Sequence, residues 1–190
     1  MGSPRPIDGR LLAWQAEWSS LPEQADRIAA AVRSSPVAVA ALQDYLQAYR
    51  RDLNSHADGV TAVAILKLLE HCGTCFSLFI PEQAEACSTG VDDLFDLIPA
   101  VRLAARASLE RAEDSTGAHA TLGELLLVSG DQASPVDREA ALFHYREAAQ
   151  SKSVREALLG RLRMFGRLGF RPGLVSEATG VLEAEPQSAP

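Results

Sequence analysis

The stretch that decides the fold is His119-Ala-Thr-Leu-Gly-Glu-Leu-Leu-Leu-Val-Ser-Gly-Asp131, followed after a short polar linker by Ala141-Leu-Phe-His-Tyr-Arg-Glu-Ala148. In both segments small and bulky apolar residues recur every three or four positions, which is the period of a helix that buries one face. Gly123 would let the second helix approach the first closely, because glycine has no Cβ. The stretch therefore predicts two packed helices joined as a hairpin. The side chains predicted to fill the space between them are Leu122, Leu126, Ala141 and Tyr145.

The same spacing matches the tetratricopeptide repeat, a helical hairpin that stacks on copies of itself. The template W-x2-L-G-x2-Y is met by His119, Leu122, Gly123 and Leu126, and the later A-x3-F by Ala141 and Tyr145. Two of the large aromatic positions are replaced. Only this repeat is easy to recognise, so the neighbouring hairpins would be degenerate members of the same series.

Composition favours an all-α protein. Of the 190 residues 47% are hydrophobic but only 6% are aromatic, so the core must be built mainly from Ala, Leu and Val. Helical periodicity covers nearly the whole chain, and no segment alternates as a half-buried strand would. We expect antiparallel helical hairpins, about eight helices in all, stacked as a short tetratricopeptide-like solenoid.

Helix boundaries are predicted where Pro, Gly, Ser and Asp cluster. Asp58-Gly59 is interpreted as the turn that opens the fourth helix, and an interruption or shift of the fifth is expected near Pro99. The predicted helices span residues 8–18, 22–33, 35–53, 60–71, 91–112, 115–129, 136–150 and 153–168, with a shorter piece after Pro172. One domain would cover residues 7–182, between a disordered or tag-derived start at 1–6 and a frayed tail at 183–190.

The two quoted segments resemble the TRAF-binding domain family of MAP3 kinases, which has tetratricopeptide-like hairpins in the central regulatory region of apoptosis signal-regulating kinases and relatives in bacteria. A second patch, running from Tyr49 through Asp58-Gly59-Val60-Thr61-Ala62 to Leu69, is similar to that family's Asp-x-x-x-Gly-x-Asn-Ala-x-x-Leu-Leu stretch. Thr61 stands where the family has Asn. Arg161-Leu162 is similar to a third element, Arg-Gln-Leu. The resemblance covers residues 40–175 and implies a regulatory or adaptor role.

No catalytic motif competes with this interpretation. The chain lacks the Gly-rich loop, Val-Ala-Ile-Lys, His-Arg-Asp and Asp-Phe-Gly motifs of a kinase. The four histidines, His56, His71, His119 and His144, are not tied by local spacing to a nucleophile or carboxylate. We expect a non-enzymatic protein–protein interaction module in a signalling or defence assembly. The alternative is a small acidic immunity protein or antitoxin that inhibits a basic partner, which the net charge of −7 favours.

Charge is unevenly distributed along the chain. Residues 151–171 carry a net charge of +5 and the remainder −12 of the total −7. Arg155, Arg163 and Arg167 are predicted to be exposed partner-binding residues on the eighth helix. They would dock an acidic segment of another protein or, as a second choice, a phosphate group; the alternative is a solvated face that balances acidic neighbours. Because the chain is acidic overall, nucleic acid is not the expected partner. In an open stack, helices four, six and eight would line a concave binding groove.

Two charged residues fall on apolar helix faces. Glu124 lies in a segment that is apolar almost all round, and Arg161 lies among leucines and Phe165 rather than with the other arginines. Since a buried charge is costly unless it is paired, we expect Glu124 and Arg161 to meet, or each to meet a backbone cap. Such a pair would fix how the last hairpins dock; the alternative is a ligand site.

The three cysteines and a neighbouring histidine are candidate zinc ligands. His71-Cys72-x-x-Cys75 with Cys87 offers four potential ligands, but adjacent residues on a helix point about 100° apart, and free cysteine is commonly a small buried hydrophobe. We expect no metal and no cofactor; the alternative is a metal-dependent or redox regulator. Three cysteines do not suit a secreted disulfide framework, and no apolar run reaches the 18 or so residues of a membrane span. A cytoplasmic location is expected.

Overall fold

The computed structural model of the chain describes residues 8–73, 92–112, 114–131 and 133–184. These residues form nine helices and no strand, so the predicted all-α fold is confirmed, with one more full helix than expected. The helices are α1 (Asp8–Ser19), α2 (Gln24–Arg33), α3 (Ser35–Arg51), α4 (His56–His71), α5 (Asp92–Arg111), α6 (Ser115–Ser129), α7 (Pro135–Ala148), α8 (Lys152–Leu168) and α9 (Pro172–Glu183). Within the described residues no helix is both long and apolar enough to cross a bilayer.

Side-chain caps explain why the starts of α6, α7 and α8 are readable from the sequence. Asp114, Ser134 and Ser151 each precede their helix, and each side chain accepts a hydrogen bond from a backbone N–H of the first turn. Such caps satisfy donors that have no partner inside the helix. The α8 helix ends at Leu168 and is capped by Gly169, which has a positive φ of 72° that a side chain would disfavour.

The start of α4 differs from its prediction. The helix begins at His56, so Asp58-Gly59 is not a turn but part of the first helical turn. Gly59 is needed there for packing, because a Cβ on it would collide with Val101 Cγ2 and lie 3.1 Å from the Tyr49 ring. Likewise, α5 continues without interruption through Pro99. Pro99 is exposed, so water can bind the carbonyl that its missing N–H leaves unpaired.

The helices α6 and α7 pack closely at Gly123, as the sequence predicts. A Cβ on Gly123 would lie 3.3 Å from His144 Cβ and 3.4 Å from Tyr145 Cδ2. Ala141 and Tyr145 are fully buried on the facing side of α7. The small residues thus set the distance between the helices, and the large ones fill the remaining space.

Most helices pack against the next helix along the chain, but α7 packs against α9 instead of α8, and the ends of the array also meet. The α8 helix contacts α1, α2 and α6 as well as α9, and α4 and α6 contact each other and α5. Most residues of α4 and just over half of those of α6 are consequently buried. The prediction of an open groove lined by α4, α6 and α8 is therefore wrong, because long-range packing encloses the two central helices.

Candidate functional site

The candidate site is the outer face of α8, which carries more basic residues than any other helix in the described part of the chain. Its inner face is apolar and buried, and its outer face carries the charges, so burial of one stripe orients the other toward solvent. The buried side chains of α8 are Leu158, Leu162, Met164, Phe165 and Leu168.

Arg161 joins α8 to α6. Its Nη1 donates hydrogen bonds to Glu124 Oε1 at 2.8 Å and to Oε2 at 2.7 Å. The Glu124 side chain is only 3% exposed and that of Arg161 28%. The two charges that the sequence places on apolar faces thus contact each other, in the arrangement expected of a pair that fixes how helices dock.

The Glu124 end of this pair lies in the protein core. Burial raises the pKa of Glu124, and the positive charge and hydrogen bonds of Arg161 oppose that rise. Nearby, burial raises the pKa of Tyr145 well above its ordinary value, and the negative charge of Glu124 adds to the effect. Among the described residues the Tyr145 hydroxyl has no hydrogen-bond partner. These groups are enclosed in the core, so they do not present a surface to a ligand.

Arg167 has a structural contact that the sequence did not reveal. Its guanidinium donates to the backbone carbonyl of Ser19 at the end of α1. The carbonyl of Arg167 in turn accepts a hydrogen bond of 2.7 Å from Arg27 Nε. Arg27 Nη1 also donates to the carbonyls of Leu21 and Pro22, at 2.8 and 2.5 Å. Arg167 is exposed as predicted. Its guanidinium is nevertheless hydrogen-bonded within the molecule, where it connects α8 to the α1–α2 connection.

Arg171 is also engaged inside the molecule. Its Nη1 donates to the carbonyls of Leu127 and Gly130, at 2.7 and 2.8 Å, and so closes the C-terminal end of α6. Its guanidinium lies 5.6 Å from the centre of the Phe170 ring, within range of a cation–π interaction. This arginine therefore supports the fold.

Three basic residues on α8 remain, which we call the α8 basic surface: Lys152, Arg155 and Arg163. Lys152 and Arg163 are exposed and Arg155 is half-buried. Within the described part of the chain none of the three forms a hydrogen bond or ion pair through its side chain. Arg155 and Arg163 are two helical turns apart, about 12 Å along the axis. Glu156 lies on the same side, so the surface carries three positive charges and one negative charge.

The histidine and cysteine side chains described here do not form a metal centre. Cys72 is buried, which raises the pKa of its thiol to about 11, whereas His71 is exposed and its Nε2 donates to the carbonyl of Leu168 at 3.1 Å. Cys75 and Cys87 lie outside the described residues. Within the described residues no group of three or more His, Cys, Asp or Glu side chains could hold a metal ion.

Two features were missed by sequence reasoning. His119 Nδ1 and His144 Nδ1 lie 2.8 Å apart, so one ring donates a hydrogen bond to the other across α6 and α7. An apolar stripe of three residues, Val136, Ala140 and Phe143, follows the outer side of α7. We call it the α7 apolar stripe. The spacing i, i+4, i+7 could have identified the stripe, but not whether another helix covers it.

Comparison of this chain with protein-family models, with curated proteins and with solved structures finds no significant match. The resemblance to the TRAF-binding domain family thus depends on the short segments quoted above.

Proposed function

We propose that this chain is a non-enzymatic protein–protein interaction module of adaptor or regulatory type, which binds an acidic segment of another protein through the α8 basic surface. One observation carries the proposal. Arg161, Arg167 and Arg171 each bind a group within the molecule, whereas Arg155 and Arg163 do not among the described residues. The resemblance to a regulatory family of helical hairpins supports the same role.

The physical setting of these arginines suits recognition. A chain of net charge −7 has many carboxylates that could neutralise its cations internally, yet within the described residues the side chains of this cluster have no ion-pair partner. Arginine presents a planar fork of donors that matches a carboxylate, and it is enriched at protein interfaces. The helix that carries the cluster is fixed at Glu124 and at Ser19, so little order would have to be gained on binding.

The perturbed titratable groups support a role without catalysis. Burial lowers the pKa of His56, partly offset by Asp114, and His56 Nδ1 lies 2.8 Å from Thr121 Oγ1 in the core. Glu124 is held by Arg161 in the core as well. In an enzyme such groups would face a cleft where they could reach a substrate. Here packing accounts for their pKa shifts.

The second candidate is an acidic immunity protein or antitoxin. It is favoured by the charge of −12 outside residues 151–171, which would attract a basic toxin. The two candidates predict partners of opposite charge at different surfaces. Reversing the charge of α8 weakens binding in the first case and leaves it unchanged in the second.

The experiment is affinity capture from the native cell, followed by measurement of the dissociation constant of the recovered partner. The test variant is Arg155→Glu with Arg163→Glu. Its control, Arg33→Glu with Arg51→Glu, makes the same charge change at exposed positions on α2 and α3. We expect the test variant to lose the partner and the control to keep it, with circular dichroism showing both folded. Equal capture by both variants would refute the assignment of the α8 basic surface.

A further inference from the structure

The outer side of α7 is apolar and open to solvent. Val136 is 74% exposed and Phe143 49%, although both are large hydrophobic residues. The opposite side of α7 is buried against α6 and α9, through Ala141, Tyr145 and Ala148. A shallow groove of about 530 Å³ runs along the exposed side. Its lining consists of Val136, Glu139, Ala140, Leu142, Phe143 and Arg146.

The stripe has the register of a helix-pairing seam. Val136, Ala140 and Phe143 follow one another at four and three residues, the spacing of successive core positions in a coiled coil. Glu139 and Arg146 are seven residues apart, so both flank the stripe on the same side. In the terms of a heptad they occupy successive g positions, which form ion pairs between paired helices.

Glu139 and Arg146 are exposed, and within the described residues neither has an ion-pair partner. This contrasts with Arg138, whose guanidinium binds the Glu177 carboxylate of α9 at 2.6 and 2.7 Å. The outer side of α7 thus carries one negative and one positive charge, and within the described residues neither is paired. A partner that supplies the reverse order of charges would satisfy both residues.

The stripe is complementary to itself when two copies run antiparallel. The g positions of two antiparallel helices face each other, so Glu139 of one copy meets Arg146 of the other, and the reverse pair forms by symmetry. The same register sets the large Phe143 against the small Ala140 of the second copy. A parallel arrangement would place Glu139 and Arg146 against the other flank, where Asp137 accepts from the backbone N–H of Asp131 and His144 contacts His119.

We propose that a second copy of this chain binds the α7 apolar stripe, with the two α7 helices antiparallel about a twofold axis near Leu142. The interface is isologous, so each ion pair occurs twice. One 14-residue helix per copy buries much less than the roughly 1,600 Å² of a standard interface, so the association is weak and depends on concentration. This goes beyond the proposed function, because it concerns a different helix and a different partner.

The test is sedimentation velocity of the whole chain from about 1 µM to about 1 mM, the range of weak dissociation constants. We expect the wild type to shift from monomer toward dimer. Glu139→Arg and Arg146→Glu, each alone, should remain monomeric, because like charges then face each other twice. Mixing these two variants in equal amounts should restore the dimer, since every Arg then faces a Glu across the heterodimer.

A matched pair of variants tests the apolar part of the interface. Phe143→Glu should abolish dimerisation, whereas Leu12→Glu should not, although Leu12 on α1 is equally exposed at 50%. A wild type that stays monomeric at every concentration would overturn the proposal and leave the stripe to another protein. Dimers that persist in the single charge variants, or that fail to return on mixing, would also overturn it. None of these variants changes the α8 basic surface, so a failure here is separable from a failure of the proposed function.

Discussion

Arg161 Nη1 contacts both carboxylate oxygens of Glu124, at 2.8 and 2.7 Å, and these two hydrogen bonds connect α8 to the most enclosed part of α6. The Glu124 side chain is 3% exposed, so its negative charge is stabilised by Arg161 and not by water. Loss of the arginine would leave a buried carboxylate that must either stay unpaired or take up a proton.

We therefore expect Arg161→Met to lower the free energy of unfolding by about 3 kcal/mol, the low end for breaking a buried pair, because Arg161 keeps 28% exposure. Replacing both residues, Glu124→Leu with Arg161→Met, should recover most of that loss, since no charge remains buried. Urea denaturation of the three proteins measures the differences. If the double variant is as unstable as the single one, the cost lies in packing and not in the unpaired charge.

A second prediction concerns three glycines in helices. Gly59→Ala should destabilise the protein by about 1–3 kcal/mol, because its Cβ would collide with Val101 Cγ2. Gly123→Ala should cost less, since its nearest neighbour is 3.3 Å away. Gly160→Ala should instead stabilise α8 by about 0.5–1 kcal/mol, because no atom of the described residues lies within 4 Å of the added methyl group. Thermal melts should give that order, and a stabilised Gly59→Ala protein would disprove the close contact of α4 with α5.

The Glu124–Arg161 contact was predictable because each residue lies among apolar neighbours on its own helix, and this local pattern indicates that the residue is buried. The helix boundaries that depend on local caps, as at Asp114, were predictable for the same reason. Gly59 misled the sequence reading, since a glycine needed for close packing looks the same as a glycine needed for a turn. Only the position of Val101 on a distant helix distinguishes the two.

The role of Arg167 could not be read from the sequence. Its partner, the carbonyl of Ser19, is 148 residues away and carries no side-chain signature. The exposure of the α7 apolar stripe was hidden as well, because the helical spacing of Val136 and Phe143 is equally typical of a covered face. The long-range packing of the helices could thus not be predicted from the sequence. This packing decides which charged and apolar helix faces make contacts within the molecule.

A third prediction follows from the contacts that hold α8 to the α1–α2 connection. Arg27 donates to the carbonyls of Leu21, Pro22 and Arg167, so Arg27→Gln would leave several acceptors without a protein donor. We expect a loss of about 1–2 kcal/mol in the free energy of unfolding, limited by water that can replace the guanidinium. Hydrogen exchange should quicken in residues 19–27. Arg163→Gln is the control and should change neither quantity; equal effects would show that net charge, not these contacts, is responsible.

A fourth prediction uses the titration of His144. Burial, together with the positive charges of His119 and Arg106, lowers the pKa of His144 to about 4. In the unfolded chain the same histidine has an ordinary pKa near 6.5. Between pH 6.5 and 4 the unfolded state therefore binds a proton that the folded state does not, and the free energy of unfolding falls as the pH falls through this window. Above pH 6.5 the contribution of the neutral histidine is fully present.

His144→Asn removes this titration while keeping a Cβ against Gly123. Its urea midpoint should fall less than that of the wild type between pH 7.5 and pH 5, because acid no longer favours the unfolded state through residue 144. His119→Asn should also reduce the wild-type loss, since it removes one of the charges that lower the pKa of His144. The two rings contact each other through Nδ1 at 2.8 Å, so a doubly protonated pair would lack an acceptor. Equal midpoint losses in wild type and His144→Asn would show that carboxylates alone set the acid sensitivity.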